Sequence, residues 1–69
     1  MDTAYQILCW DGSVSSQFGD KSEAVNEGIR LLRDWTNPGD KIVVDGDFLF
    51  VCDDCGYRTD ACCQIQEVL

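Results

Sequence analysis

One amphipathic segment, residues 20–35, constrains the fold of this chain more than any other stretch. Val25, Ile29 and Leu32 recur there at i, i+4 and i+7, so a helix carries them on one face. The charged and amide side chains of the segment fall on the opposite side. A helix with a broad apolar face and a charged back is typical of a surface helix packed on a sheet. We therefore predict one long helix with a sheet beneath it.

Both ends of this helix are marked in the sequence. Asp20 is a favourable N-cap residue, and Glu23 follows it at the spacing of a capping box. At the other end, Pro38 cannot continue the helical hydrogen-bond ladder and disfavours helical geometry in the residue before it. The helix is therefore predicted to run from a cap at Asp20 to Trp35.

The stretch before the helix predicts a β-hairpin. Residues 4–10 and 13–18 flank the dipeptide Asp11-Gly12, which is a strong signal for a two-residue type I′ turn. Such a turn fixes the register, because a slip of one residue moves every side chain to the other face of the sheet. The predicted partners are Cys9 with Val14, Ile7 with Ser16, and Tyr5 with Phe18.

A second hairpin is predicted after the helix. Residues 41–45 and 48–52 flank Gly46-Asp47 as the loop. The predicted partners, which make one face wholly apolar, are Val44 with Leu49 and Ile42 with Val51. Phe48 and Phe50 make the reverse face apolar as well. We therefore expect this hairpin to lie centrally or to be covered on both sides, with the C-terminal segment as the cover.

That C-terminal segment, residues 53–69, is compatible with two structures. Cys62, Ile65 and Leu69 recur at helical spacing behind a possible cap, whereas Ile65, Glu67 and Leu69 alternate as in a strand. We expect an added strand or a short helix that closes over the second hairpin. The predicted fold is thus α+β: an antiparallel sheet of two hairpins with one helix on one face (ββαββ), plus this segment.

The charge balance limits the partners of the chain. Thirteen Asp and Glu residues face five Lys and Arg residues, for a net charge of −8 on a 7.7 kDa chain. Direct binding to nucleic acid or to an anionic membrane is not expected, because a phosphate-rich surface needs a basic footprint. The acidic surface serves either solubility or docking on a basic, nucleic-acid-binding groove of another protein. We expect one domain, residues 1–69, as a monomer or weak homodimer.

The candidate contact residues are carboxylates at the predicted hairpin ends and on the back of the helix. Carboxylates on a rigid frame can imitate phosphates for a groove lined by arginine and lysine. The set comprises Asp11, Glu23, Glu27, Asp34, Asp45, Asp47, Asp53 and Asp54. Trp10, beside Leu8, adds an apolar anchor, since an exposed aromatic residue next to charge suits an interface hot spot. The alternative for Trp10 and Leu8 is partial burial by the C-terminal segment.

The cysteines suggest a second chemistry. Cys52 and Cys55 have the spacing of a zinc-ligand pair, but adjacent Cys62 and Cys63 point in different directions, and the sequence has no histidine. We therefore expect no metal or other cofactor and favour ordinary buried thiols, with these four cysteines as the alternative zinc ligands. Five cysteines without a secretory signal lead us to expect a cytoplasmic protein.

Catalysis is not expected. Without histidine there is no Ser-His or Cys-His pair. The carboxylates are predicted at turns and on the helix back, where they are solvated. The glycines form no phosphate-binding fingerprint. The chain is therefore predicted to bind a partner and not to act as an enzyme.

Over residues 4–52 the chain resembles the small anti-CRISPR proteins of phages. The resemblance is carried by small size, acidity, Asp11-Gly12 in the first hairpin, a helix ending at residues 34–38, and a second hairpin from Ile42 to Val51. It implies a stoichiometric inhibitor that binds a CRISPR effector (surveillance) complex in the host cytoplasm. It also implies that target DNA binding is blocked, in several such proteins by mimicry of DNA. The same layout resembles small bacterial domains of unknown function.

Two other functions stay open at this point. One is a small cysteine-rich metal-binding or interaction module that uses Cys52, Cys55, Cys62 and Cys63. The other is a homo-oligomeric module that buries the face carrying Phe48 and Phe50.

Overall fold

A computed structural model of the chain describes residues 3–68 and has an α+β fold. A single helix packs on one face of a four-stranded antiparallel sheet. The elements are β1 (Ala4–Cys9), α1 (Lys21–Arg33), β2 (Lys41–Asp45), β3 (Phe48–Cys52) and β4 (Arg58–Val68). The sheet order is β1-β4-β3-β2, so the C-terminal strand lies inside the sheet. The α+β class is confirmed, but the element order is βαβββ, and the predicted ββαββ order is wrong.

Helix α1 begins where the sequence predicts. The Asp20 side chain accepts a hydrogen bond from the backbone N–H of Ser22 at 3.1 Å, as an N-cap does. The helix ends at Arg33, two residues before the predicted end at Trp35. Its last turn tightens there, because the Thr36 hydroxyl and N–H both donate to the carbonyl of Arg33, at 2.8 and 3.3 Å. This helix, 13 residues long, is too short and too polar to cross a membrane, and the described residues contain no longer one.

The core lies between α1 and the sheet. Its fully buried large side chains come from both layers and are Ile7, Leu32, Leu49, Val51 and Cys63. Gly28 allows the close approach of the helix, because a Cβ at this position would lie 3.1 Å from Leu49 Cδ2. Of the stripe read from the sequence, Leu32 is fully buried, whereas Val25 and Ile29 pack partly buried against the core. The centre of the buried face is formed by Ala24 and Gly28.

The first predicted hairpin is largely absent. Residues 13–18 form no strand and meet β1 only at two isolated bridges. The bridge from Tyr5 to Phe18 is the predicted one, but Val14 pairs with Leu8, so the predicted Cys9–Val14 register is wrong by one residue. Serine side chains explain the difference, because Ser15 Oγ accepts the N–H of Ile7 at 2.9 Å in place of a backbone carbonyl.

The second hairpin is confirmed in both its boundaries and its register. β2 and β3 have the predicted ranges, and the predicted pairs Val44–Leu49 and Ile42–Val51 are observed. Gly46 lies in the turn with φ of 60°, in the left-handed region that glycine adopts without strain. Alternating apolar residues and a glycine turn were sufficient to specify this unit locally.

The C-terminal segment is a strand, which was one of the two predicted structures. β4 is 11 residues long and pairs with β3 through its first half and with β1 through its second half. This staggered pairing produces an elongated molecule of 43 × 19 × 15 Å. The segment does not close over the second hairpin, and β2 is an edge strand. The expectation that the hairpin is central or covered on both sides is therefore wrong. Leu69, part of both predicted patterns, lies outside the described residues.

Candidate partner-binding site

The face of the sheet opposite α1, which we call the outer face, is left open by the described residues. The pairing register places Leu8, Gln64 and Phe48 side by side across three strands. Asp45 continues this row on β2, as the direct partner of Phe48. Phe48 keeps 51% of its surface exposed. Because contiguous exposed apolar surface is uncommon on a small domain, the half-exposed ring of Phe48 in the same row as Leu8 marks a candidate interaction surface.

An apolar cavity of about 240 Å³ opens on this row. It is lined by Leu8, Cys9, Trp10, Phe48, Cys62, Cys63 and Gln64. Trp10, the anchor expected from the sequence, is one of its walls. The ring of Trp35 meets Trp10 edge-on, with centroids 5.2 Å apart and planes at 84°. Trp35 remains 60% exposed, so it braces Trp10 from the solvent side.

The basic residues lie away from the cavity. Arg58 stacks over the ring of Phe50, with its guanidinium carbon 4.2 Å from the ring centroid. This contact covers the neighbouring part of the outer face. None of the five Lys and Arg residues lines the cavity. The open part of the outer face is therefore apolar and, at Asp45, bordered by negative charge.

Two of the predicted contact carboxylates hold turns. Asp11 accepts hydrogen bonds from the N–H and the hydroxyl of Ser13, at 2.9 and 2.6 Å, and these bonds lower the pKa of Asp11. Asp53 accepts the backbone N–H groups of Cys55 and Tyr57 at 3.0 and 2.9 Å. Both carboxylates therefore contribute to the local structure of the chain.

Two further carboxylates of the set are in ion pairs. Asp47 lies 2.6 Å from Lys21 Nζ and raises the pKa of Lys21 through their hydrogen bond and opposite charges. Glu27 accepts two hydrogen bonds from the guanidinium group of Arg30, and these bonds lower the pKa of Glu27. The negative charge of these two residues is partly compensated within the molecule.

The remaining four of the set form no ion pair within the described residues. Asp45 lies on the outer face, and Asp54 lies in the turn between β3 and β4. Glu23 is in the first turn of α1, and Asp34 caps its C-terminus, on the other layer of the molecule. The structure therefore distributes the predicted carboxylates over two layers and both ends, and does not bring them together in one patch.

Sequence reasoning placed Trp10 at the site but missed most of the cavity wall. Alternation in the sequence put Leu8 and Phe48 on faces away from the core, which was a usable signal. Their contact depends on β4 inserting between their strands, and the sequence left the structure of that segment open. Trp35 was assigned to the helix, so its contact with Trp10 was also missed.

The four clustered cysteines are not brought together. β4 places Cys63 against the core, with 2% of its surface exposed, and its neighbour Cys62 on the outer face. Among the described residues, the potential metal ligands close enough to share an ion are Asp53, Asp54 and Cys55. The carboxylate of Asp53 is already engaged in its turn. This arrangement offers no support for the zinc set Cys52, Cys55, Cys62 and Cys63.

The cavity is suited to binding more than to acid–base chemistry. Of its three lining cysteines, only Cys62 carries its thiol on the outer face, and the sequence has no histidine to activate a thiol. Burial raises the pKa of the Cys63 thiol to about 12, so it is protonated at neutral pH and a poor nucleophile.

Comparison with models of known protein families, with curated proteins and with solved structures finds no match.

Proposed function

We propose that the chain is a non-enzymatic inhibitor that binds a basic, nucleic-acid-binding surface of another protein in the host cytoplasm. In this proposal the partner is a subunit of a CRISPR effector complex, and target DNA binding is blocked, through mimicry of DNA. The observation that carries the proposal is the open apolar cavity, free of lining cations and bordered by Asp45, on a chain of net charge −8.

Charge supports the basic partner. Eight uncompensated negative charges attract a basic groove over about 8 Å at physiological ionic strength. Such attraction raises the rate of encounter with a basic partner, whereas like-charge repulsion keeps this chain from binding acidic proteins or nucleic acid. We therefore expect binding to the partner to weaken as the salt concentration rises.

The cavity supports an anchored contact. A space of about 240 Å³ accepts one or two apolar side chains of a partner. Full burial of one Leu or Phe side chain contributes about 1.5–3 kcal/mol. Trp10 and Phe48 form walls of the kind that dominate interface energies. Charge then brings the partner close, and the cavity fixes its position.

The kind of partner comes from the resemblance to anti-CRISPR proteins. The first hairpin, which formed part of that resemblance, is largely absent. What remains of it is the small size, the acidity, the Asp11-Gly12 turn, the helix and the second hairpin. The choice of a CRISPR complex within the class of basic partners rests on these features alone.

The experiment is a pull-down of the tagged chain against purified CRISPR effector complexes, at low and high salt and with competing target DNA. The proposal expects binding that weakens with salt and is lost with DNA. Asp45→Lys is expected to weaken it strongly, whereas Asp54→Lys, the same charge reversal in the β3–β4 turn at the other end of that strand pair, has a small effect. Binding that is insensitive to both DNA and Asp45→Lys contradicts the proposed surface. Absence of binding to every complex contradicts the proposed partner.

A further inference from the structure

Cys9 and Cys63 are direct cross-strand partners in the antiparallel pair of β1 and β4. Both are free thiols. The function proposed above does not use their chemistry, although both residues line the cavity. Their position in the ladder decides whether the two sulfur atoms can be joined.

The hydrogen bonds of Cys9 show which kind of pair this is. Its N–H donates to the carbonyl of Ser13 at 2.8 Å, and its own carbonyl accepts the N–H of Gly12 at 3.0 Å. Both backbone groups of Cys9 therefore point away from β4. Cys9 and Cys63 form a non-hydrogen-bonded pair, in which the Cα atoms of an antiparallel ladder lie about 4.5 Å apart. That spacing falls within the range of about 4.4–6.8 Å that disulfides span.

The two thiols also face each other. The register places both side chains on the same, helix-facing side of the sheet as direct cross-strand neighbours. Cys63 is almost fully buried, whereas Cys9 is partly exposed. Because Cys9 is the more exposed of the two, a small reagent reaches Cys9 before Cys63.

We propose that Cys9 and Cys63 form a redox modification site that a low-molecular-weight disulfide of the glutathione class converts to a cross-strand disulfide. The thiolate of Cys9 attacks the reagent, forms a mixed disulfide and releases one glutathione thiolate. Cys63 lies beside this mixed disulfide and no longer faces a Cys9 thiolate, so it gives up its proton and displaces the second glutathione, which leaves as a thiol. The protein loses two electrons and two protons, and one glutathione disulfide becomes two glutathione thiols.

The bond would tie β1, an edge strand, to the strand that holds the sheet together. It closes a loop from position 9 to position 63 and removes conformational freedom from the unfolded chain. It also fixes the strand that carries Leu8 relative to the opposite wall of the cavity. This proposal does not depend on the identity of the binding partner.

The test is incubation of the reduced full-length chain with glutathione disulfide, followed by alkylation, digestion and mass mapping. The expected product is a peptide pair linked through Cys9 and Cys63, in a protein lighter by two hydrogens. Its thermal midpoint is expected to rise by about 10 °C or more, and a reductant reverses the change. The Cys52→Ser/Cys55→Ser variant is the matched control and keeps the product, whereas Cys9→Ser abolishes it.

Three results overturn the proposal. One is a dominant link through Cys62 in place of Cys63, and another is a Cys52–Cys55 link with Cys9 still free. The third is Cys9 that carries glutathione and never resolves to a disulfide. Because the mapping is done on the wild-type chain, the decision does not require any cysteine variant to fold.

Discussion

The two faces of the sheet differ in how they use their apolar side chains. Against α1, Leu49 and Val51 are fully buried, and their neighbours on β4 are buried with them. On the outer face, Phe48 is half exposed, and Phe50 is covered mainly by Arg58. Burial on the first face stabilises the fold. The helix covers only the first face. The apolar groups of the outer face are therefore available for a partner.

The largest expected effect comes from truncating two adjacent residues of β3, one on each face of the sheet. Leu49→Ala removes a fully buried side chain and is expected to lower the free energy of unfolding by about 2–5 kcal/mol. Phe48→Ala removes a half-exposed one and is expected to cost about 1 kcal/mol or less. Urea unfolding measures both. Equal losses would show that the outer face is also part of the core. The proposed function further expects Phe48→Ala to weaken partner binding.

The second effect concerns the buried thiol of the inner face. The folded state holds the pKa of Cys63 at about 12, whereas an unfolded thiol has a pKa of about 8.5. Since the raised pKa favours the protonated thiol in the fold, its contribution to stability is complete below about pH 8.5 and is lost as pH rises towards 12. Thermal unfolding followed from pH 7 to 11 is expected to show this decline.

The control for the alkaline decline is Cys63→Ala, which removes the titrating group. This variant is less stable at neutral pH because it leaves a small cavity, but its stability is expected to fall less steeply with pH. An unchanged slope would assign the alkaline loss to other groups. Cys9, Cys62 and Asp11 all contribute to the environment of this thiol, so the comparison is made with these residues intact.

These contrasts also show which parts of the fold and of the site could be predicted from the sequence. The second hairpin was predicted completely because its alternation and its glycine turn are local signals. The site was predicted only at Trp10, Leu8 and Asp45, because the cavity exists only once β4 separates β1 from β3. Pairing between residues as distant as Leu8 and Gln64 leaves no local signal. At the first hairpin the Asp-Gly signal was misleading, because Ser15 replaces a ladder bond with its side chain.

A third prediction separates a carboxylate that serves the fold from one that does not. Asp53 accepts two backbone N–H groups in its turn, whereas Asp54 beside it is exposed and makes no hydrogen bond in the described residues. Asp53→Ala is expected to lower the free energy of unfolding by about 1–3 kcal/mol, because it leaves those donors without their acceptor. Asp54→Ala is expected to be close to neutral. Urea unfolding of the two variants, which have the same net charge, decides between these roles.

The smallest expected effect is that of the ion pair between Lys21 and Asp47. Both side chains are about half exposed, at 48% and 57%, so water screens their attraction and competes for their hydrogen bonds. A double-mutant cycle of Lys21→Ala and Asp47→Ala is expected to give a weak coupling at low salt. That coupling should vanish at about 1 M salt, where the screening length falls to about 3 Å. Coupling that persists there would mean that the pair holds the start of α1 against the β2–β3 turn by packing. Asp47 would then belong to the fold, as Asp53 does, and not to the surface available to a partner.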